Sequence, residues 1–294
     1  MNVIEMQGVS KRYGKLEALR GVSLEVGAGE VVAFLGPNGA GKTTAISIML
    51  GQKLPDSGTM RLFGHRPDLP EARGRVGVML QESGLPQSLT VEEIVELFAR
   101  YYPYRLPTQE VLQRADLLEK RRAQVSQLSG GQKQRLYFAL AVVGDPDLIF
   151  LDEPTVAMDV EARRAFWEQV RTFAAVGKTI LFSTHYLEEA DANADRVIVL
   201  HEGRVLQSGT PAQIKRRVAA KTVRLRTDAP LEQLEALPGA GRLELENGHV
   251  LVYSNEPEAF LGELVRRGYS MSDLTVKDTD LEAAFVSLTG KLET

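Results

Sequence analysis

A glycine-rich string directly follows a short apolar run, and its residue types suit the binding of a polyphosphate. The run is Val31–Leu35, and the string reads Gly36-Pro37-Asn38-Gly39-Ala40-Gly41-Lys42-Thr43-Thr44. Glycines let backbone N–H groups converge on an anion, and the helix predicted to follow adds its positive N-terminal end. In this spacing Lys42 reaches the outer phosphates, the Thr43 hydroxyl ligates a bridging Mg²⁺, and Thr44 faces an inner phosphate. The flanking strand and helix disfavour the alternative of a glycine-rich surface turn.

A pair of carboxylates follows another apolar run. Asp152 and Glu153 come directly after Leu148–Leu151, which predicts that they lie at the same sheet edge as the glycine-rich loop. Neighbouring strand residues point to opposite sides, so each acid has its own role: Asp152 suits the Mg²⁺ shell, and Glu153 suits orienting and deprotonating an attacking water. Alone, such a pair would more often start a helix, but the phosphate loop favours the site.

A second glycine motif, Leu128-Ser129-Gly130-Gly131-Gln132, precedes a helix predicted over Lys133–Val143. Two glycines permit close approach of a ligand, the serine offers a hydroxyl, and the helix N-terminus supplies oriented N–H groups. The motif therefore predicts a second site for an anion. The alternative is an ordinary helix cap.

Along the chain, the phosphate loop comes first, the LSGGQ string second and Leu148–Glu153 third, and in that order and spacing the three motifs resemble the ABC ATPase family over about residues 1–216. The resemblance implies an α/β P-loop NTPase (RecA-like) fold: a mostly parallel sheet core with an antiparallel β-subdomain and a helical subdomain. In that family, the LSGGQ of one subunit closes over the ATP on the phosphate loop of another. With one cassette, the chain is expected to work as a dimer, most simply a homodimer, with a membrane-spanning permease as a further partner.

Further positions match the family pattern residue by residue. The resemblance assigns Tyr13 to stacking on adenine, Gln81 to sensing Mg²⁺ and water, Asp159 to a contact across the dimer, and His185 to the γ-phosphate. Taken alone, Tyr13 would more often be a packing residue, and a lone histidine at a strand end is more often structural. The sequence departs from the pattern at Ala157-Met158, where exporters often show glycine and the family commonly shows leucine.

Elements that could position these motifs are visible as an alternation of short apolar runs and helical stretches. The predicted strands are Val31–Leu35, Val76–Leu80, Leu148–Leu151, Thr179–Ser183 and Val197–Leu200. The first 30 residues predict antiparallel strands, and Arg196–Ser208 predicts a hairpin with its turn at Glu202-Gly203. Residues from about 82 to 147 predict a helical insert with a capping box at Thr90 and Glu93. A small α+β domain is predicted over 217–294.

Composition narrows the class of protein. The chain has 294 residues, a formal net charge of −4, a pI of about 5.7 and no cysteine. Thiolate chemistry is thereby excluded, and a nucleic-acid partner is disfavoured because the strong positive field is lacking. No apolar run approaches the ~18 residues of a membrane span, so we expect a peripheral location on the cytoplasmic side of the cell membrane, through a partner chain.

The ending Asp280–Gly290 resembles the tail of multidrug and antibiotic export subunits, which favours an exporter of drug-like, antibiotic or lipid-like substrates. Two alternatives stay open: an importer subunit, and an ATP-dependent switch outside transport, although Glu153 favours hydrolysis. The aromatic stretch Phe98–Tyr104 is a candidate groove for a helix of the permease, since aromatics are enriched at interface hot spots. It could equally fill the core of the helical insert.

Overall fold

The computed structural model describes residues 1–80, 84–184, 186–218 and 221–278. Over this part of the chain there are two compact units, Met1–Ser208 and the residues from Gly209 on. The units divide before a helix at Pro211–Val218, and the functional domain bounds of 1–216 and 217–294 stay a prediction. Among the described helices, none is both long and apolar enough to span a bilayer.

The first unit alternates strands and helices. Its elements are β1 Asn2–Tyr13, β2 Leu16–Gly27, β3 Val31–Leu35, α1 Lys42–Met49, β4 Ser57–Leu62, α2 Pro70–Arg73, β5 Val76–Met79, α3 Val91–Ala99, α4 Thr108–Arg114, α5 Gly130–Val142, β6 Leu148–Asp152, α6 Val160–Ala175, β7 Thr179–Ser183, α7 Leu187–Asn193, β8 Arg196–His201 and β9 Arg204–Gly209, with short 3-10 helices at Leu118–Lys120 and Val125–Gln127.

The central sheet has the strand order β5-β6-β7-β3-β8-β9 within the described residues. Along this order, the five strands from β5 through β6, β7 and β3 to β8 each pair in parallel with their neighbours. All residues of β3 and β7 are buried, which explains why their sequences are apolar without alternation. Strands β3 and β6 both flank β7, so their carboxyl ends meet at one edge of the sheet. The phosphate loop and the carboxylate pair therefore leave the sheet at the same edge.

Antiparallel structure surrounds this core as predicted. Strands β1, β2 and β4 form a separate sheet in the order β2-β1-β4, with antiparallel pairing on both sides of β1. Strands β8 and β9 are neighbours joined at Glu202 and Gly203, which have φ of 46° and 75°. Two consecutive positive φ values are typical of the tight hairpin turn that matches strand twist.

The helical insert begins with the predicted capping box. The Thr90 side chain accepts the N–H of Glu93 at 3.3 Å, and the Glu93 carboxylate accepts the N–H of Thr90 at 2.8 Å. Because the first backbone donors of α3 thereby gain partners, the helix begins at Val91. The sequence spacing places Val91, Ile94, Val95 and Phe98 on one face; the first three are buried, and Phe98 is partly buried.

The aromatic stretch Phe98–Tyr104 begins inside α3 and divides between partly buried and exposed residues. The Tyr102 ring lies against Gly144, where an added Cβ would come within 2.6 Å of Tyr102 Cγ, and burial raises the pKa of Tyr102. Tyr101 and Tyr104 are instead 75% and 82% exposed. Tyr102 is therefore partly buried within the helical insert, whereas Tyr101 and Tyr104 are on the surface.

Helix α5, which carries the second glycine motif, packs directly on β5 at Gly77. A Cβ added there would clash with the carbonyl oxygen of Ala141 and lie 2.8 Å from Pro146 Cγ. We predict that Gly77→Ala lowers the free energy of unfolding by about 1–3 kcal/mol, since overpacking forces backbone shifts. Urea denaturation measures this. Gly84→Ala is the matched control because, apart from its chain neighbours, no atom of the described residues lies within 4 Å of its added Cβ. Equal urea midpoints for the two variants would contradict the close packing at Gly77.

The second unit has a βαββαβ arrangement preceded by a helix. Its described elements are α8 Pro211–Val218, β10 Lys221–Arg226, α9 Leu231–Glu235, β11 Leu243–Glu246, β12 His249–Ser254, α10 Pro257–Arg266 and β13 Ser272–Asp278. The strands form an antiparallel sheet in the order β11-β12-β10-β13. Both connecting helices contribute to its core, through Leu234 of α9 and Phe260 and Leu264 of α10. The order matches a ferredoxin-like sheet.

The sequence of this unit shows a weak β, α, β, α series, with strands at Thr222–Arg226 and His249–Tyr253 and a helix at Glu256–Arg267, which correspond to β10, β12 and α10. The series includes a helix between the two strands, where α9 lies, but not β11 and β13, which are short or half-exposed and so show weak periodicity. The predicted tail motif, Asp280–Gly290, lies outside the described residues.

Candidate nucleotide-binding site

The glycine-rich string forms a tight loop between β3 and α1. Gly39 and Gly41 have φ of 80° and 105°, a region that side-chain-bearing residues rarely adopt. At Gly36 an added Cβ would clash with the carbonyl oxygen of Leu200, and at Gly41 it would clash with that of Ala18. Helix α1 begins at Lys42 with Gly41 as its N-cap. The loop therefore places a helix N-terminus beside a bend that only glycine tolerates.

Lys42 brings a positive charge to this loop. Its ammonium group donates hydrogen bonds to the carbonyl oxygens of Gly36 and Pro37, the latter at 3.3 Å. The side chain thus folds back over the loop from which it starts. A cation and the N-terminal end of α1 both favour an anion here.

Tyr13 lies beside the same loop. Hydrogen bonds to Lys53 and Thr44, together with the nearby lysine cations, lower the pKa of its phenol. The Lys53 ammonium lies 4.9 Å from the ring centroid, and Tyr13 is 40% exposed. Its contact with Thr44 places an accessible aromatic face next to the phosphate loop, which suits stacking on a purine.

The carboxylate pair is held by a serine that the sequence analysis did not single out. The Ser183 hydroxyl donates to Asp152, and the Glu153 N–H donates to both the carbonyl oxygen and Oγ of Ser183, each at 3.1 Å. Glu153 has a φ of 48°, and left-handed backbone at a non-glycine residue is typical of functional sites. Ser183 could have been found as a polar residue ending an otherwise apolar run.

The second glycine motif caps α5. Ser129 Oγ accepts the N–H of Gln132 at 3.3 Å, and Gln132 Oε1 accepts the N–H of Ser129 at 3.0 Å. The cap interpretation is thus correct for Ser129. Gly130 and Ser129 are nevertheless exposed, so this end of the 13-residue helix α5 is also accessible to a ligand.

The segment before α6 lies against this motif. A Cβ added to Gly130 would be 3.4 Å from Ala157 Cβ, and one added to Gly131 would be 3.9 Å from Met158 Cγ. Ala157 has a φ of 65°, which explains physically why glycine suits this position. Asp159 caps α6 by accepting the N–H of Ala162 at 2.8 Å. The structure therefore brings the second motif and Asp159 to one surface of the chain.

Two predicted site residues, Gln81 and His185, lie outside the described residues.

A further cluster that sequence reasoning missed surrounds Glu189, which is only 5% exposed. A glutamate in a polar helical stretch carries no sequence signal of burial, because burial depends on what packs over it.

Comparison with known proteins agrees with these observations. A family model described as ABC transporter matches residues 19–156. The Nod factor export ATP-binding protein I of Rhizobium johnstonii is 36% identical over 98% of this chain and 95% of its own length. The chain belongs to the ABC transporter family. It is an ATP-binding subunit that hydrolyses ATP, as the sequence predicted.

Solved structures of ABC transporter subunits support the fold of the first unit. An ATP-binding subunit of an ABC transporter has a TM-score of 0.67 and 32% identity, covering 73% of this chain and 92% of its own. A dimeric ATP-binding cassette in a post-hydrolysis state, with ADP and Pi bound, has a TM-score of 0.64 and 28% identity, covering 70% of this chain and 98% of its own. The predicted P-loop NTPase fold is confirmed.

Proposed function

We propose that two copies of this chain bind MgATP between the phosphate loop of one and the LSGGQ motif of the other. The supporting observation is the exposed N-terminal end of α5, where Ser129 and Gly130 are accessible. Helix N-termini favour anions. In this arrangement each phosphate lies between the phosphate loop of one copy and the LSGGQ motif of the other. One of the similar solved structures is likewise a dimer of two ATP-binding cassettes.

The predicted site residues around the phosphate loop each have a role in binding the nucleotide. Lys42 contacts the outer phosphates, and Tyr13 stacks on adenine. Magnesium fits the available donors, because Thr43 is an exposed residue with a hydroxyl and the Asp152 carboxylate is fixed by Ser183. Mg²⁺ prefers hard oxygen donors of this kind. When bound, the ion neutralises charge on the phosphates. Gln81 joins this set on the family resemblance.

Hydrolysis uses Glu153 to orient and deprotonate the attacking water. The backbone at Glu153 is held by Ser183 in the left-handed region, at φ 48°, so the carboxylate leaves β6 in a defined direction. His185, which follows β7 in sequence, donates to the γ-phosphate, and Asp159 contacts the facing subunit. Closure and reopening of the dimer transmit the free energy of hydrolysis.

The coupled process is export of a lipid-like, drug-like or antibiotic molecule through a separate membrane-spanning permease. Support comes from relatives at 36% identity over nearly the whole chain that are named as Nod factor export subunits. The subunit then lies peripherally on the cytoplasmic side of the membrane. Exposed Tyr101 and Tyr104 are suitable permease contacts. An importer would require the opposite direction of vectorial transport, and a switch would show no multiple-turnover phosphate release.

A complementation experiment tests the shared site. Lys42→Met removes the phosphate cation, and Ser129→Arg blocks the LSGGQ motif, so each homodimer has two defective sites. A mixed dimer has one site with both defects and one intact site. We predict that mixing the inactive variants restores about a quarter of wild-type ATPase activity: about half of random pairs are mixed, with one intact site of two.

The control is each variant mixed with itself at the same total concentration. Phosphate release that stays at the level of the separate variants, while chemical crosslinking shows mixed dimers, would contradict a site shared between subunits.

A further inference from the structure

Glu189 is a buried carboxylate that the proposed reaction does not yet use. It lies on α7 and is 5% exposed, whereas the preceding Glu188 is exposed. Burial of an ionised group costs free energy unless it is paired and hydrogen-bonded. A carboxylate in this buried position is therefore stable only if its partners compensate for the free-energy cost of desolvation.

Both oxygens of the Glu189 carboxylate have such partners. Oε1 accepts the Thr155 hydroxyl and lies 3.4 Å from Nε of Arg163. Oε2 accepts the Thr184 hydroxyl at 2.9 Å. Thr155 and Thr184 are 1% and 2% exposed, so these hydrogen bonds lie in the interior, where unpaired polar groups are costly.

These partners come from three different segments of the nucleotide site. Thr155 is in the turn after β6, where it follows Glu153 and Pro154 in sequence. Arg163 is on α6, and its backbone N–H donates to the carbonyl oxygen of Asp159, the N-cap residue of that helix, at 2.9 Å. Thr184 follows β7 and directly precedes His185 in sequence. One carboxylate thus connects the segments that carry the proposed base, dimer contact and γ-phosphate ligand.

The turn after β6 needs such support. Glu153 has a φ of 48° and Ala157 a φ of 65°, and strained backbone persists only where its surroundings fix it. Ser183 holds the start of this turn through the Glu153 N–H. Thr155, inside the turn, is held by Glu189.

We propose that Glu189 is a positioning residue for ATP hydrolysis, which fixes the turn after β6 against α6 and the end of β7 so that Glu153 faces the attacking water. This inference rests on the role proposed for Glu153. Glu189 acts through Thr155 and Thr184, so its loss should slow turnover without weakening the grip of the phosphate loop on ATP.

Glu189→Gln in the full chain tests the proposal. The amide keeps the shape of the side chain but loses the charge, and only one of its two polar groups can accept a hydroxyl. We expect kcat to fall about tenfold or more, since small misplacements of catalytic groups have large effects on rate. We expect affinity for a fluorescent ATP analogue to stay within about twofold. Glu188→Gln, on the exposed neighbour, should leave both quantities unchanged.

A double-mutant cycle with Thr155→Val separates positioning from a general structural role. If the two side chains act through one contact, the kcat of the double variant should equal that of the less active single variant, within about twofold. Losses that multiply would overturn the proposal, as would unchanged kcat in folded Glu189→Gln, or parallel losses of kcat and ATP affinity. Should Glu189→Gln not fold, Thr155→Val decides alone, and unchanged kcat overturns the proposal.

Glu153→Gln is measured alongside. Loss of turnover in Glu153→Gln with full turnover in Glu189→Gln would refute positioning and leave the proposed function intact. Turnover retained in Glu153→Gln would instead refute the proposed base.

Discussion

Glu153→Gln is expected to bind ATP like the wild-type chain but to hydrolyse it about 10²–10⁴-fold more slowly, the usual contribution of a general base. The amide has nearly the shape of the carboxylate, so the Ser183 hydrogen bonds to the Glu153 N–H and the turn after β6 are retained. What is lost is the proton acceptor for the attacking water. Multiple-turnover phosphate release measures hydrolysis, and equilibrium titration with a fluorescent ATP analogue measures binding.

A second readout of Glu153→Gln follows from the dimer. If hydrolysis reopens it, MgATP should trap the variant as a closed dimer on gel filtration. The matched control is Glu161→Gln, the same change at an exposed position in the first turn of α6. A Glu153→Gln protein that fails to bind ATP, or that turns over at the control rate, would be inconsistent with the assigned role.

Lys42→Met is expected to lower ATP affinity by about 10- to 150-fold. A charge-assisted hydrogen bond contributes about 1.5–3 kcal/mol, and about 1.4 kcal/mol corresponds to a factor of ten. Methionine keeps an unbranched side chain of similar length, so the change removes mainly the ammonium group that lies over the Gly36 and Pro37 carbonyls.

Lys120→Met provides the control for this variant, because it removes the same charge from an exposed residue of the helical insert. Thermal unfolding of both variants checks that the loop change leaves the fold intact. Equal ATP affinity in the two variants would show that the phosphates are held without Lys42.

Motifs that lie on continuous stretches of chain could be predicted from sequence. The phosphate loop, the carboxylate pair and the cap of α5 each combine residue types with a strand or helix next to them, and the structure places each at the predicted kind of element. The sequence pattern also identified the buried strands, because β3 is apolar at every position and β7 at every position except its ends. In the second unit, weak amphipathic patterns hid β11 and β13.

Contacts between segments that are distant in sequence could not be predicted from such local patterns. Ser183 joins Asp152 to the backbone of Glu153, and the Ala157–Met158 segment lies beside Gly130 and Gly131. Such contacts depend on strand order, since β7 lies between β3 and β6. No local pattern specifies that order.

The sequence alone therefore predicted that this chain binds and hydrolyses ATP, because a phosphate loop is a local structure whose chemistry depends on neighbouring residues. Tertiary structure alone decided which polar side chains support that chemistry. Glu189 and Glu188 are adjacent and chemically identical, yet only Glu189 is buried. The difference comes from α6 and the ends of β6 and β7 packing around one side of α7, where a carboxylate is stable only with Thr155, Thr184 and Arg163 beside it.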